Sequence, residues 1–408
     1  MDKQINTSLP FWQLPLYFFM LGFTFISVPH TSSTYILYAR LIQAIELFFL
    51  LILVIQYFKQ GIRLQRFNTS INIWWLLYTI ITYLFALDIV GLTPLFKWMN
   101  VIIFLLLGTC FWRENMQQSI KYLAGVLSFM IYLNAILLLL YPEGLWIDED
   151  WIGRGDPTRY LFGNYNQIGF VCLLGITTQM IYSFSAKKGY FNLVCLVIVS
   201  IASVIFVGSM TSTVCLILLA LCILLRHVIV HTSKTIIITF FVLYILFFAF
   251  IVWYGNSIET VSLATRFIEE TLSKDTDFSA RTDLWANAVY KIRQSPWIGY
   301  GVQSVEWNDT YLGGSGPHNL WLMLMLQGGG ILCVLFVQIL LYTIKHTLSK
   351  KTITSTLGVM GIIALLIMSL FETFNIIQIF LLIQLVYYSS NLPDNSDNTN
   401  NILTNDHI

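Results

Sequence analysis

Apolar residues run along this chain in windows about as long as a membrane crossing, and the windows recur nearly end to end. A spanning helix needs roughly 20 mostly apolar residues. Such windows lie at 11–28, 35–58, 71–90, 95–112, 122–141, 160–185, 190–207, 213–230, 235–255, 319–344, 354–371 and 374–389. The pattern predicts an all-α integral membrane protein with about twelve transmembrane helices. Two intervals between windows carry real content, residues 142–159 and the long stretch 256–318. The expected division is therefore 1–255 for spans one to nine, 256–318 for a large loop, 319–390 for spans ten to twelve, and 391–408 for a tail. That tail, "NLPDNSDNTNNILTNDHI", is too rich in Asn and Asp to fold alone and is expected to be disordered.

Within the long loop the period changes from continuous to amphipathic. "ETVSLATRFIEETL" spaces Val261, Leu263, Ala264, Phe267, Ile268 and Leu272 at helical intervals, with Arg266 among the acidic residues between them. "SARTDLWANAVYKIRQSP" repeats the pattern at Leu284, Trp285, Ala288, Val289 and Ile292, with Ser279 as a candidate cap and a stop before Pro296. Two surface helices are expected, the second with Arg281 in its first turn. A cation there opposes the helix dipole. Arg281 therefore either pairs with Asp277, Asp283 or a lipid headgroup, or joins the backbone N–H groups of the helix start in holding phosphate oxygens.

Composition agrees with the membrane reading: 57% of the residues are hydrophobic and 11% charged, with a mean hydropathy of +0.73. A formal net charge of +1 offers no basic field for nucleic acid, which is excluded as a partner. Lys and Arg mark the cytoplasmic side of short loops, and Lys59, Arg63, Arg66, Arg113, Lys121, Lys187, Lys188, Arg226, Lys234, Lys345, Lys350 and Lys351 fall on alternate loops. Both termini are thus expected in the cytoplasm, with 142–159 and 256–318 outside. The first span follows a nearly uncharged start without an A-x-A-like cleavage site and reads as a retained helix. The six cysteines sit singly in apolar windows and are expected to pack as small hydrophobes. His227 and His231 have a metal-compatible spacing but no carboxylate beside them, and read as helix-end residues. "WIDED", with Asp148, Glu149 and Asp150, reads as a solvated acidic loop, a divalent cation being the alternative.

The chemistry gathers around "SPWIGYG" and "GGSGPHNLWLMLMLQGGG". Gly299 and Gly301 suit a turn where backbone approaches a ligand closely, and His318 and Asn319 open the tenth span. Read alone, His318 is either an interface residue at a helix start or a base poised near neutral pH. Glu372, in "SLFETFN", is either a snorkelling interface residue or a functional carboxylate.

"ARTDLWANAVYKIRQSPWIGYG" followed by "GPHNLWLMLMLQGGGILCVLF" resembles the signature region of the O-antigen ligase and Wzy-type polysaccharide polymerase superfamily. "RYLFGNYNQIGF", with Arg159, Gly163 and Asn166, and "GSMTSTV" at 208–214 are similar to further parts of that pattern. One departure is Gln327, where many relatives carry a glutamate. The resemblance implies an inverting, metal-independent membrane glycosyltransferase without a cofactor. It would extend lipid-linked repeat units into capsular, O-antigen or exopolysaccharide chains on the outer face of a bacterial cytoplasmic membrane. Its implied partners are an undecaprenyl-diphosphate-linked donor and acceptor, membrane lipids, and flippase and chain-length regulator proteins. His318, Arg281 and Arg159 would be catalytic; Asn166, Arg266, Arg154, Gly299, Gly301, Asn319 and Glu372 would bind substrate, with Glu372 as the alternative base. A ligase that moves finished glycan to another acceptor uses the same site. A flippase is the third class, and it predicts pseudo-repeated halves that this sequence lacks.

Overall fold

A computed structural model describes residues 13–27, 66–90, 111–112, 115–148, 156–253 and 277–392, with isolated positions between 37 and 51. Its helices are α1 (Gln13–Phe23), α2 (Arg66–Val90), α3 (Met116–Leu140), α4 (Tyr165–Ala186), α5 (Tyr190–Phe206), α6 (Met210–Leu224), α7 (Arg226–Phe247), α8 (Asp277–Gln294), α9 (Val305–Leu312), α10 (Leu320–Leu348), α11 (Ile353–Ser369) and α12 (Ile376–Ser389). A π-helical turn, Phe248–Trp253, continues α7, and a two-residue hairpin pairs β1 (Trp146–Ile147) with β2 (Thr158–Arg159). The protein is an all-α membrane protein with apolar helices. Among the described residues four helices, Met116–Leu140, Tyr165–Ala186, Arg226–Phe250 and Leu320–Leu348, are long and apolar enough to cross a membrane, and shorter apolar helices accompany them. The expected spans 35–58 and 95–112, the helix expected at 259–272 and the tail from 393 onward lie essentially outside the described residues.

Helix α4 is the hub. It packs against α3, α5, α6 and α11, and 89% of its apolar window is buried. Lipid supplies no hydrophobic drive between helices, so close backbone approach has to hold them. Glycines provide it: a Cβ on Gly169 would lie 1.9 Å from Ser212 Oγ, one on Gly175 2.4 Å from Ile131 Cδ1, and one on Gly361 2.7 Å from Thr177. Outward faces carry bare apolar side chains such as Leu139, Phe191 and Ile198, as a lipid-facing surface should.

Three boundaries differ from expectation. The turn between the eighth and ninth windows falls at Leu225, not near 231–234, because no Gly or Pro interrupts "LLRHVIVHTSK" and the polar stretch stays helical within α7. Helix α8 begins at Asp277, so Ser279 lies inside it and Arg281 is one turn deeper than the dipole argument assumed. Helix α9 was not expected at all; Ser304 caps it by accepting from Trp307 N, and Gly313 ends it in the left-handed conformation.

Helix α10 breaks at Gly329, whose φ of 60° and ψ of −166° are not helical. A break in a membrane helix strands backbone groups that lipid cannot satisfy. The segment after α8 satisfies them. Tyr300 N donates to Leu326 O at 2.7 Å and Gly301 N to Gln327 O at 3.0 Å, while Gly330 N donates to Pro296 O at 2.8 Å. The half of α10 before the break joins α8, α9 and the π turn in a second, smaller apolar core made of Val252, Trp285, Ala288, Val289, Ile292, Leu312, Leu322 and Leu326. This cap carries Arg281 and His318.

Candidate functional site

Two helix starts meet one segment, Leu370–Glu372, which follows α11, and a third stands behind one of them. Asn319 caps α10 by accepting from Trp321 N and Leu322 N, and its Nδ2 donates to Leu370 O at 2.8 Å. Asn166, in the first turn of α4, donates from Nδ2 to Glu372 Oε1 at 2.6 Å. Ser209, at the start of α6, donates from Oγ to Asn166 Oδ1 at 3.0 Å.

Glu372 is 6% exposed, and a buried carboxylate needs partners. Arg281 supplies the charge: its Nη2 donates to Glu372 Oε1 at 2.9 Å and its Nη1 to Phe371 O at 2.6 Å. His318 takes the other side of the carboxylate, with Nδ1 3.5 Å from Glu372 Oε2. That is an ion-pair distance, longer than a formed N–H···O bond. The opposite ring nitrogen, Nε2, lies 3.4 Å from Ser315 Oγ.

The backbone presents His318 deliberately. Its φ of 43° is left-handed, a conformation that costs a non-glycine residue roughly 1–2 kcal/mol. Neighbouring contacts impose it: Trp285 Nε1 donates to Pro317 O at 2.9 Å, and Asn319 is fixed on the other side by its cap and by Leu370. Trp285 thus positions the histidine from inside the cap's core. Asn308 ties α9 to the same turn, donating from Nδ2 to Ser315 O at 3.1 Å.

Of the residues singled out in the sequence, the structure brings together Asn166, Arg281, His318, Asn319 and Glu372. Arg159 stands in the hairpin that leads into α4, where Nε meets Asp148 Oδ2 at 3.2 Å and Nη1 donates to the carbonyls of Asp156 and Thr158. Arg154 and Arg266 lie outside the described residues, as do Glu149 and Asp150. The close approach that Gly299 was expected to offer a ligand is made to the chain's own helix: a Cβ there would sit 2.5 Å from Leu326 O. Gly301, with a φ of 73°, pairs with the same helix break. Gln327 accepts from Tyr78 Oη of α2 at 2.7 Å. His227 and His231 are exposed on the first turns of α7, the ring of His231 facing the carbonyl of His227 at 2.7 Å. Ser315 was not singled out; Ser209 lies in the "GSMTSTV" stretch of the resemblance and Trp285 in the amphipathic pattern of α8, and neither was given a role at the site.

As chemistry, the cluster pairs one fixed cation with one buried carboxylate and sets a half-exposed imidazole beside them. Such a set can hold an anionic group at the arginine and accept a proton at the ring.

No curated protein matches the chain. Residues 195–337 match the family model Wzy_C, described as O-antigen ligase. The match takes in Ser209, Arg281, Trp285 and His318 and stops short of Asn166 and Glu372, which the fold adds to them. Members of this family are membrane enzymes of glycosyltransferase type that act on lipid-linked glycan. Over residues 195–337, the chain carries the O-antigen ligase family domain.

Proposed function

We propose that this protein polymerises lipid-linked oligosaccharide repeats on the outer face of a bacterial cytoplasmic membrane, through an inverting and metal-independent transfer. The observation that carries the reading is the contact of His318 and Arg281 with one carboxylate, Glu372, at gathered helix ends. Those ends lie opposite the basic helix ends at Lys187, Lys188, Lys345 and Lys350, and basic ends mark the cytoplasmic side.

In the transfer, the acceptor hydroxyl gives its proton to His318 Nε2 as its oxygen bonds to the anomeric carbon of the donor glycan. The bond from that carbon to the diphosphate breaks, and the lipid diphosphate leaves with the electron pair. Glu372, facing Nδ1, steadies the imidazolium that forms, by the logic of a carboxylate–histidine pair. Arg281 spends one N–H on Glu372 and one on Phe371 O. Its remaining donors serve the diphosphate, whose charge grows in the transition state. Arg159, Arg154 and Arg266 are proposed as further phosphate contacts, and Asn319 as the cap that aims the histidine. A ligase acting on another acceptor would use the same groups.

Deleting the gene in its host and analysing lipid-linked glycans tests the reading. Accumulated single repeats are expected. Long chains retained on the lipid carrier would replace polymerase with ligase, and repeats trapped on the cytoplasmic face would overturn both.

A further inference from the structure

The polar contacts that end on Glu372 do not begin at Asn166. Behind it, Ser209 Oγ donates to Asn166 Oδ1 at 3.0 Å and lies 2.7 Å from Ser212 Oγ. We infer that Ser209 is a positioning residue for the proposed transfer: it fixes the rotation of the Asn166 amide and so holds the Glu372 carboxylate with one oxygen toward His318.

An asparagine amide has two faces, and only one of them suits a carboxylate. An ionised carboxylate can only accept hydrogen bonds, so Nδ2 must point at Glu372 Oε1; the flipped amide would set two acceptors about 2.6 Å apart. Something must hold Oδ1 on the far side, and a hydroxyl donor does so. Ser209 has one proton to give. Ser209 Oγ is the donor in both of its contacts, to Asn166 Oδ1 at 3.0 Å and to Ser212 Oγ at 2.7 Å, and the share of its one proton that reaches Asn166 is what holds the amide.

Three features support a built arrangement. Asn166, Ser209 and Ser212 are all buried, Ser209 at 1% exposure, where an unpaired polar group is expensive. Gly169, three residues beyond Asn166 and so on the same side of α4, makes the space: a Cβ there would lie 1.9 Å from Ser212 Oγ. Ser209 itself is pinned after Gly208, whose φ of 74° turns the chain, with Ser209 N donating to Val204 O at 2.9 Å. Lying behind Glu372, Ser209 acts on chemistry and not on substrate contact.

The inference rests on the transferase reading, and the test separates the two. The full chain in nanodiscs is assayed with the lipid-linked oligosaccharide that accumulates in a host lacking the gene. If the wild type leaves this probe unchanged, the transferase reading fails and takes the inference with it. If the wild type is active, Ser209→Ala is expected to lower kcat about tenfold, the rate equivalent of one net hydrogen bond to a charged assembly. KM should stay within about twofold, and Ser212→Ala, which removes an equally buried hydroxyl, should lose less. In an Asn166→Ala background, Ser209→Ala should add almost nothing, since residues acting through one partner are non-additive. A wild-type kcat in Ser209→Ala, a raised KM at unchanged kcat, equal losses from the two serines, or a full multiplicative loss in the Asn166→Ala background would each overturn it. Should Ser209→Ala fold poorly, Ser209→Thr, which keeps the donor, is expected to restore more activity than the similarly shaped Ser209→Val; equal activities would count against the inference.

Discussion

Asn166 and Glu372 stand 206 residues apart in sequence, and their side chains meet at 2.6 Å. The contact joins the first turn of α4 to the segment after α11 and sets the carboxylate that Arg281 and His318 share. A buried charge with three neighbours is held in place, and the consequences of removing any neighbour can be worked out.

Glu372→Gln keeps the shape and removes the charge. Its amide must turn its donor toward Asn166 and Arg281, where donor meets donor, or toward His318 Nδ1, which then holds its proton on Nε2 and cannot accept another there. Arg281 also loses its counter-charge. Rate with lipid-linked substrate should fall at least about tenfold with protein levels maintained, as measured by polymer length and by immunoblot of membranes. Full-length polymer from Glu372→Gln would remove the carboxylate from the mechanism.

Arg281→Lys is not conservative here. The guanidinium reaches Phe371 O and Glu372 Oε1 from two separate nitrogens, and one ammonium cannot reproduce that fork. Strong loss of polymer at normal protein level is expected, again about tenfold or more. Complementation of a deletion strain by Arg281→Lys to wild-type chain length would show that only the charge matters.

Gly299→Ala separates a structural from a ligand-binding glycine. The new Cβ would lie 2.5 Å from Leu326 O at a φ of 74°, and strained backbone of this kind costs on the order of 1–3 kcal/mol before the clash is counted. A lowered thermal midpoint in detergent is expected. Unchanged stability with a raised KM would instead place the glycine against substrate.

The order of helices was legible because membrane spans advertise themselves by length and hydropathy. Arg281, His318, Asn166 and Glu372 were legible as residue types at helix ends, three of them through the resemblance. Their meeting was not, since nothing local in "RYLFGNYNQ" or "SLFETFN" says that the two segments touch. Helix α9 escaped because eight residues hold only two turns of pattern. The break in α10 was hidden differently: "QGGG" sits inside a continuous apolar run, and only the pairing of Leu326, Gln327 and Gly330 with Pro296–Gly301 shows where its backbone bonds go. Leu225 carries no turn signal at all.

Orientation can be checked on the cap. Thr310 is exposed on α9, and Lys188 lies between α4 and α5 at the far helix ends. In a background without Cys110, Cys172, Cys195, Cys215, Cys222 and Cys333, Thr310→Cys should react with an impermeant thiol reagent in intact cells, or in spheroplasts where an outer membrane intervenes. Lys188→Cys should react only after lysis. The reverse pattern would invert the topology and move the site to the cytoplasm.

His318 carries the sharpest expectation. If His318 takes the acceptor's proton, His318→Ala should lose most of the rate. General-base contributions are on the order of 10²–10⁴-fold. The geometry adds a discrimination among replacements. Position 318 is left-handed, with a φ of 43°, and asparagine tolerates that region better than most residues. His318→Asn should therefore fold at least as well as His318→Ala, and its amide can still bond Glu372 or Ser315. Neither Asn nor Gln can accept the proton. If His318 only orients the acceptor, His318→Asn retains much of the rate; if it is the base, His318→Asn is as inactive as His318→Ala while donor binding persists in both. Near-normal polymer from His318→Asn or His318→Gln would dismiss the histidine as base and transfer that role to Glu372, the carboxylate already beside it.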